Sequence, residues 1–370
     1  MTDIKKAPQQ QDAKEILSSH KDTDLTPDFD FGGIGIEDFK NDAEQTLQQI
    51  NEAKECKGLF LVKTAARWIE QAKKRPVPKM LFSEFWHEGE ICILFADTNL
   101  GKSILSVQNG NSISKGEQIP GFKNESEKQI ILYCDFELSD KQFENRYSIK
   151  FENHYSFDEN FIRIEINPDA NTPDGSSFED FLNNSLDRSI REIGAKILII
   201  DNLTYLKNET EKAKDALPLM KYLKALKSKY GLSILALAHT PKRDLSKPIT
   251  RNDLQGSKML INFCDSSFAI GESSTDKNLR YLKQIKARNT EIIYDAENVC
   301  VCQISKPENF LQFEFINFGC EREHLKQFSE KDRESLIEKS KELSQKGFSQ
   351  RQISSELNIS LGAVNKYLKM

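Results

Sequence analysis

The residues Ala96-Asp97-Thr98-Asn99-Leu100-Gly101-Lys102-Ser103 carry the spacing of a phosphate-binding loop, the Walker A pattern, with Ala96 where that pattern has its first glycine. The apolar run EICILF precedes them and a helix-forming stretch, SILSVQNGNSIS, follows, which is the strand–loop–helix context the chemistry requires. Such a loop works through backbone N–H groups and a helix N-terminus around the β-phosphate, a lysine on the β- and γ-phosphates, and a hydroxyl on Mg²⁺. Lys102 and Ser103 supply the lysine and the hydroxyl. Ala96 is small enough for its position, whereas Asp97 brings a carboxylate near triphosphate and must point away from it.

Acids stand at the ends of two further apolar runs. KILIID closes on Asp201, as a Walker B strand does, and an acid there can hold the Mg²⁺ shell at the carboxyl edge of an open α/β sheet. QIILYCDFELS closes on Asp135 and Glu137, two residues apart on one strand face, and either can polarise an attacking water. A third run, LSILALAH, ends at His239.

These residues need elements to hold them. From Glu90 to about Phe318 short β-rich runs alternate with longer amphipathic stretches, the pattern of an α/β domain with a mainly parallel sheet. The later runs SSFAI, LRYLKQI, NVCVCQI and FLQFEFI lack long helices between them and are expected as antiparallel strands at one sheet edge. Residues 1–40 are too polar to fold and read as a tail. Residues 41–77 read as a helical lead-in, with Leu59, Val62, Ala66 and Ile69 at helical spacing before Pro76 and Pro78. The ATPase-like domain is expected at 78–320 and a separate small all-α module at 328–370.

The ordered set of strand ends resembles the RecA-like P-loop ATPases, and within them the RepA-like and DnaB-like hexameric helicases, over roughly residues 78–316. The resemblance implies a RecA-like core, ATP and Mg²⁺ as cofactors, and a hexameric ring that hydrolyses ATP between subunits. It implies Glu137 rather than Asp135 as the catalytic acid, and His239 as the polar residue that senses the γ-phosphate. RYLKQIKARN resembles the family's K-x-R element, so that Lys286 and Arg288 would reach the neighbouring subunit's γ-phosphate. DLQGSKMLINFCDSSFAI resembles the segment after the sensor strand, with Gly256 and Ser257 as its recognisable part. The loop TPKRDLSKPITRNDLQ, with Lys242, Arg243, Lys247 and Arg251, corresponds to the one that lines the family's central channel and grips single-stranded DNA.

The C-terminus, GFSQRQISSELNISLGAVNKYLKM, reads as a helix-turn-helix. Ser349 and Ser360 are natural N-caps, and Ile353, Leu357, Ile359, Val364 and Leu368 can share a core. Residues 361–369 would be the recognition helix, offering Gly362, Asn365, Lys366 and Lys369 to duplex DNA. Residues 331–370 hold eight Lys/Arg against five Asp/Glu, a local excess of positive charge within a chain whose formal charge is −5. That overall charge excludes a protein that coats nucleic acid by charge alone. No apolar run is long enough to span a membrane and the start of the chain lacks a signal-like stretch, so a cytoplasmic location without membrane contact is expected. The seven cysteines form no CxxC pair and read as reduced core thiols. The reading is an ATP-driven DNA motor of replication, with an ATP-gated DNA-binding regulator that separates no strands as the alternative.

Overall fold

The computed structural model describes residues 60–206, 213–241, 243–254, 258–327, 330–357 and 359–370. The expected tail and the lead-in up to residue 59 lie outside the described residues, as do Lys242, Gly256 and Ser257. The chain divides into two units, Met1–Val77 and Pro78–Met370. Among the described residues of the first, a helix spans Ala65–Lys73, and the Thr64 hydroxyl caps it by accepting the Arg67 N–H. Phe60, Leu61 and Val62 precede it and are exposed.

In the second unit, two small hairpins are formed by β1 (Met80–Phe82) with β2 (Trp86–His87) and by β5 (Ser148–Ile149) with β6 (Asn153–His154). One large sheet holds β3 (Ile91–Ala96), β4 (Ile131–Asp135), β7 (Phe161–Ile164), β8 (Ile197–Asp201), β9 (Ser233–His239), β10 (Ser266–Glu272), β11 (Leu279–Lys286), β12 (Val299–Ser305) and β13 (Gln312–Gly319). Their order is β13-β12-β11-β10-β3-β9-β8-β4-β7. From β10 to β7 every pairing is parallel, and β11, β12 and β13 add an antiparallel wing. The fold is thus α/β and RecA-like, with a mainly parallel sheet. One expectation needs correction: SSFAI, in β10, pairs parallel to β3 and only the three later runs are antiparallel. The short helix Lys258–Phe263 returns the chain to the amino end of β3, where the Asp265 N–H donates to the Ile91 carbonyl, and a strand started there must run parallel.

Between their ends the central strands are apolar because both faces are covered. Ile91, Ile93 and Phe95 enter one core, beneath the helices Phe178–Ile193 and Ala213–Tyr230. Cys92, Leu94 and Ala96 enter the other, with the phosphate-loop helix Lys102–Lys115, the β1–β2 hairpin and the wing. Period-two alternation within an unbroken apolar run is what a doubly covered parallel strand demands.

The helices Glu330–Gln345, Gln350–Glu356 and Leu361–Lys369 pack on one another, with Ile353 and Val364 fully buried between them. Ser349 and Ser360 cap the second and third by accepting the N–H groups of Gln352 and Ala363. Among the described residues no helix is long and apolar enough to cross a membrane.

Candidate nucleotide site at the carboxyl edge of the sheet

The four central strands β3, β9, β8 and β4 run the same way, so their carboxyl ends deliver Ala96, His239, Asp201 and Asp135 to one edge. The phosphate loop leaves β3 at that edge and turns through Asn99 (φ 64°) and Gly101 (φ 97°) into its helix. Gly101 has two reasons to lack a side chain. Its φ lies in the left-handed region, and a Cβ would meet the Phe313 ring at 2.8 Å and Ile304 Cδ1 at 2.9 Å. The wing therefore forms the outer wall of the loop. It is also fastened to the loop's helix: Gln108 donates to the Phe313 carbonyl (3.0 Å) and accepts the Phe313 N–H (2.8 Å).

Lys102 is buried and folds back over the loop, its Nζ 3.0 Å from the Ala96 carbonyl, 3.1 Å from that of Asp97 and 3.2 Å from His239 Nδ1. Burial lowers its pKa, against the pull of Asp201 and Glu137, which favour the charged form. Asp97, the awkward acid, turns onto its own loop, its Oδ1 accepting the Thr98 N–H at 2.7 Å. Asp201 is 1% exposed, and burial pushes its carboxyl up to about 6, although the Ser103 and Tyr133 hydroxyls favour the anion. Tyr133 donates to its Oδ2 at 2.7 Å. Oδ1 has no hydrogen bond of normal geometry, even though Ser103 stands near enough to favour its charge.

The two acids expected on one strand face separate clearly: Asp135 closes β4 and Glu137 lies past its end. Asp135 is buried with both oxygens engaged: Oδ1 accepts the N–H groups of Glu137 (3.2 Å) and Leu138 (2.9 Å), and Oδ2 accepts Arg163 Nε (2.9 Å). Glu137 instead lines the cleft. Its Oε1 accepts the Asn202 amide and lies 3.5 Å from His239 Nε2, and the His239 contact holds its carboxyl below the usual range against the opposing effect of burial. Asn202 Nδ2 is itself 3.1 Å from His239 Nε2, so His239 bridges Lys102 and the Asn202–Glu137 pair. Thr98, Asn99, Gly101, Lys102, Ser103, Ile104, Glu137, Arg146 and His239 enclose a cleft of about 210 Å³. Asn202 and Arg146 were not foreseen in the sequence. Arg146 ends the helix Asp140–Arg146 and lines the cleft, and its buried Nη1 has no hydrogen-bond partner.

These residues fit a triphosphate with Mg²⁺. A lysine resting on neutral carbonyls and the N–H groups at a helix start suit phosphate oxygens. The buried Asp201 Oδ1, with no hydrogen bond of normal geometry and with Ser103 nearby, suits a hydrated Mg²⁺, which keeps most of its waters and takes few protein ligands.

Lys286 and Arg288 stand elsewhere. Lys286 Nζ donates to the carbonyls of Ile261, Asn262 and Cys264, and Arg288 to Asp265 Oδ1 and the Asn262 carbonyl. Asp265 also accepts the Ile91 N–H, which puts this cluster at the amino end of β3, about 17 Å of strand from Ala96 at ~3.3 Å per residue. Of the loop cations, Arg243 turns inward: its side chain is 7% exposed and its Nη2 donates to the Lys247 carbonyl. Lys247 is exposed but pairs with Asp244, and Arg251 is exposed. Gly362, Asn365, Lys366 and Lys369 are all exposed on the last helix.

A nucleotide cleft at the carboxyl edge of a mainly parallel sheet, floored by a phosphate loop and flanked by strand-end acids, defines a RecA-like P-loop ATPase. The model of the AAA domain family matches residues 59–244, half of the 370-residue chain, and the protein belongs to that family. Among solved structures, a KaiC-like protein of the hyperthermophilic archaeon Pyrococcus horikoshii OT3 is similar to it, with 14% identity, 65% of this chain and 100% of that chain covered, and a TM-score of 0.40. No curated protein matches the chain.

Proposed function

We propose that the protein is a ring-forming, ATP-hydrolysing DNA motor, a RepA-like replicative helicase serving plasmid or mobile-element replication, in which a hexamer threads single-stranded DNA and the C-terminal helices hold a duplex site. One observation carries this reading. Lys102, Ser103, Asp201, Glu137 and His239 meet at one edge of the sheet, while Lys286 and Arg288 lie at the other, out of reach of their own chain's cleft. Cations so placed can serve a neighbour's nucleotide and not their own.

On this reading Ala96 to Ser103 cradle the phosphates, Lys102 leaves its loop carbonyls for the β- and γ-phosphates, and Arg146 adds a second cation from the same chain. Ser103 and Asp201 would hold Mg²⁺, which when bound neutralises charge on the β- and γ-phosphate oxygens. Glu137 takes a proton from the attacking water, and His239, in contact with both Lys102 and Glu137, registers whether the γ-phosphate is present. Arg288 and Lys286 supply positive charge from the adjacent subunit as hydrolysis proceeds. Lys242, Arg243, Lys247 and Arg251 belong to the channel loop, and Gly362, Asn365, Lys366 and Lys369 to the duplex contact.

A second reading, the ATP-gated DNA-binding regulator, draws on a specific contrast. Of the described channel-loop cations, Arg243 and Lys247 have partners within their own loop and Arg251 is exposed, whereas all four residues of the proposed recognition face are exposed. Steady-state ATPase with no DNA, with single strands and with duplex decides between the two, with Lys102→Ala as the blank. Strong single-strand stimulation together with strand separation supports the motor. A low rate indifferent to single strands, with nucleotide-dependent binding to one duplex sequence, supports the regulator.

A further inference from the structure

Glu137 lies past the end of β4, on a turn that no strand pairing fixes, yet a catalytic base must be held to within a fraction of an ångström. The residues on either side of it are both anchored. Before it, the Phe136 N–H donates to the Asp201 carbonyl at 2.9 Å and the Phe136 ring stacks on Tyr205. After it, the Leu138 carbonyl accepts Arg163 Nη2 at 2.8 Å, while the Glu137 and Leu138 N–H groups point into Asp135 Oδ1. Arg163 and Asp135 are joined in turn, Nε to Oδ2 at 2.9 Å, with the Asp135 side chain fully buried.

Arg163 comes from β7, the edge strand beside β4, where it sits level with Tyr133. Its third nitrogen, Nη1, donates to Asp140 at 3.1 Å, at the start of the helix Asp140–Arg146. Its guanidinium lies 4.9 Å from the centroid of the Phe143 ring on that helix, whose last residue, Arg146, lines the cleft. One planar cation thus fixes the buried acid, the turn and the helix together. A lysine, with a single nitrogen, has no such fork.

We propose that Arg163 and Asp135 form a clamp that positions Glu137, making them positioning residues of the hydrolysis step rather than only a neutralised buried pair. The inference rests on the reading of Glu137 as the base. It explains why the sequence offers two acids two residues apart: one aims the other.

The full-length protein with Arg163→Lys and Asp135→Asn, singly and together, tests it. Asp135→Asn keeps an oxygen for the two backbone N–H groups but loses the acceptor for Arg163, so it opens the clamp without emptying the site. Each variant is expected to lose about 10- to 100-fold in kcat while the Kd for a non-hydrolysable ATP analogue moves less than about threefold, because misplacing a reacting group by about 1 Å costs that much rate. The double variant is expected to be no worse than the poorer single one. Melting temperatures are recorded alongside, so that lost folding is not read as lost rate. Unchanged kcat, a loss shared equally by analogue binding, or additive losses in the double variant would overturn the clamp. Glu137→Gln is assayed in parallel: if it hydrolyses normally, the base assignment has failed, whereas a dead Glu137→Gln beside unaffected clamp variants rejects the clamp alone.

Discussion

The two ends of β3 hold cations in opposite ways. At the carboxyl end Lys102 is buried, rests on neutral carbonyls and has Glu137 and Asp201 nearby in an open cleft. At the amino end Arg288 is half exposed and bound to Asp265, a carboxylate shared with Lys227 and with the first N–H of the strand. Carbonyls are weak partners that a phosphate displaces readily, whereas a carboxylate in a salt bridge must be outcompeted. On the proposed reading, the difference separates a group waiting for its own ligand from one held in store for another surface.

The sharpest attack on this contrast is Lys102→Ala, expected to lower ATPase about 1,000-fold or more and to abolish retention of labelled ATP on a filter. Normal turnover would remove the phosphate loop from the argument. Arg288→Ala should bind ATP as wild type does yet hydrolyse it about 1,000-fold more slowly, and when mixed equally with wild type it should pull activity well below half, as measured by titrating one into the other. A loss in simple proportion to the variant added would show that Arg288 acts within its own chain. Glu137→Gln is expected to cost about 100-fold in kcat with nucleotide binding preserved, read by single-turnover hydrolysis. The smallest effect belongs to the last helix: Lys366→Ala should weaken duplex binding a few-fold and lower the salt slope of log K by about 1, whereas Arg243→Ala should reduce the melting temperature and leave that slope unchanged.

Much of the site was readable in the sequence because buried parallel strands are apolar throughout, so an acid or histidine that closes such a run marks the sheet edge. Asp201, Asp135 and His239 were placed this way, and the structure brings all three to that edge. What escaped the sequence depends on contacts between distant segments. Arg163 sits in the run FIRIEI, where nothing distinguishes a cation facing solvent from one reaching to Asp135. Asn202 is meaningful only because β9 carries His239 to within 3.1 Å of it. The direction of β10 follows from the six-residue helix before it, too short to signal a crossover.

The pressing of Phe313 and Ile304 against Gly101 bears on where this protein can be divided. The family match ends at residue 244, yet the wall of the phosphate loop and the amide clasp on its helix come from residues 304–313. A fragment cut at the family boundary would expose the flank of the loop and release Gln108. A piece that keeps this wall and clasp therefore runs through β13.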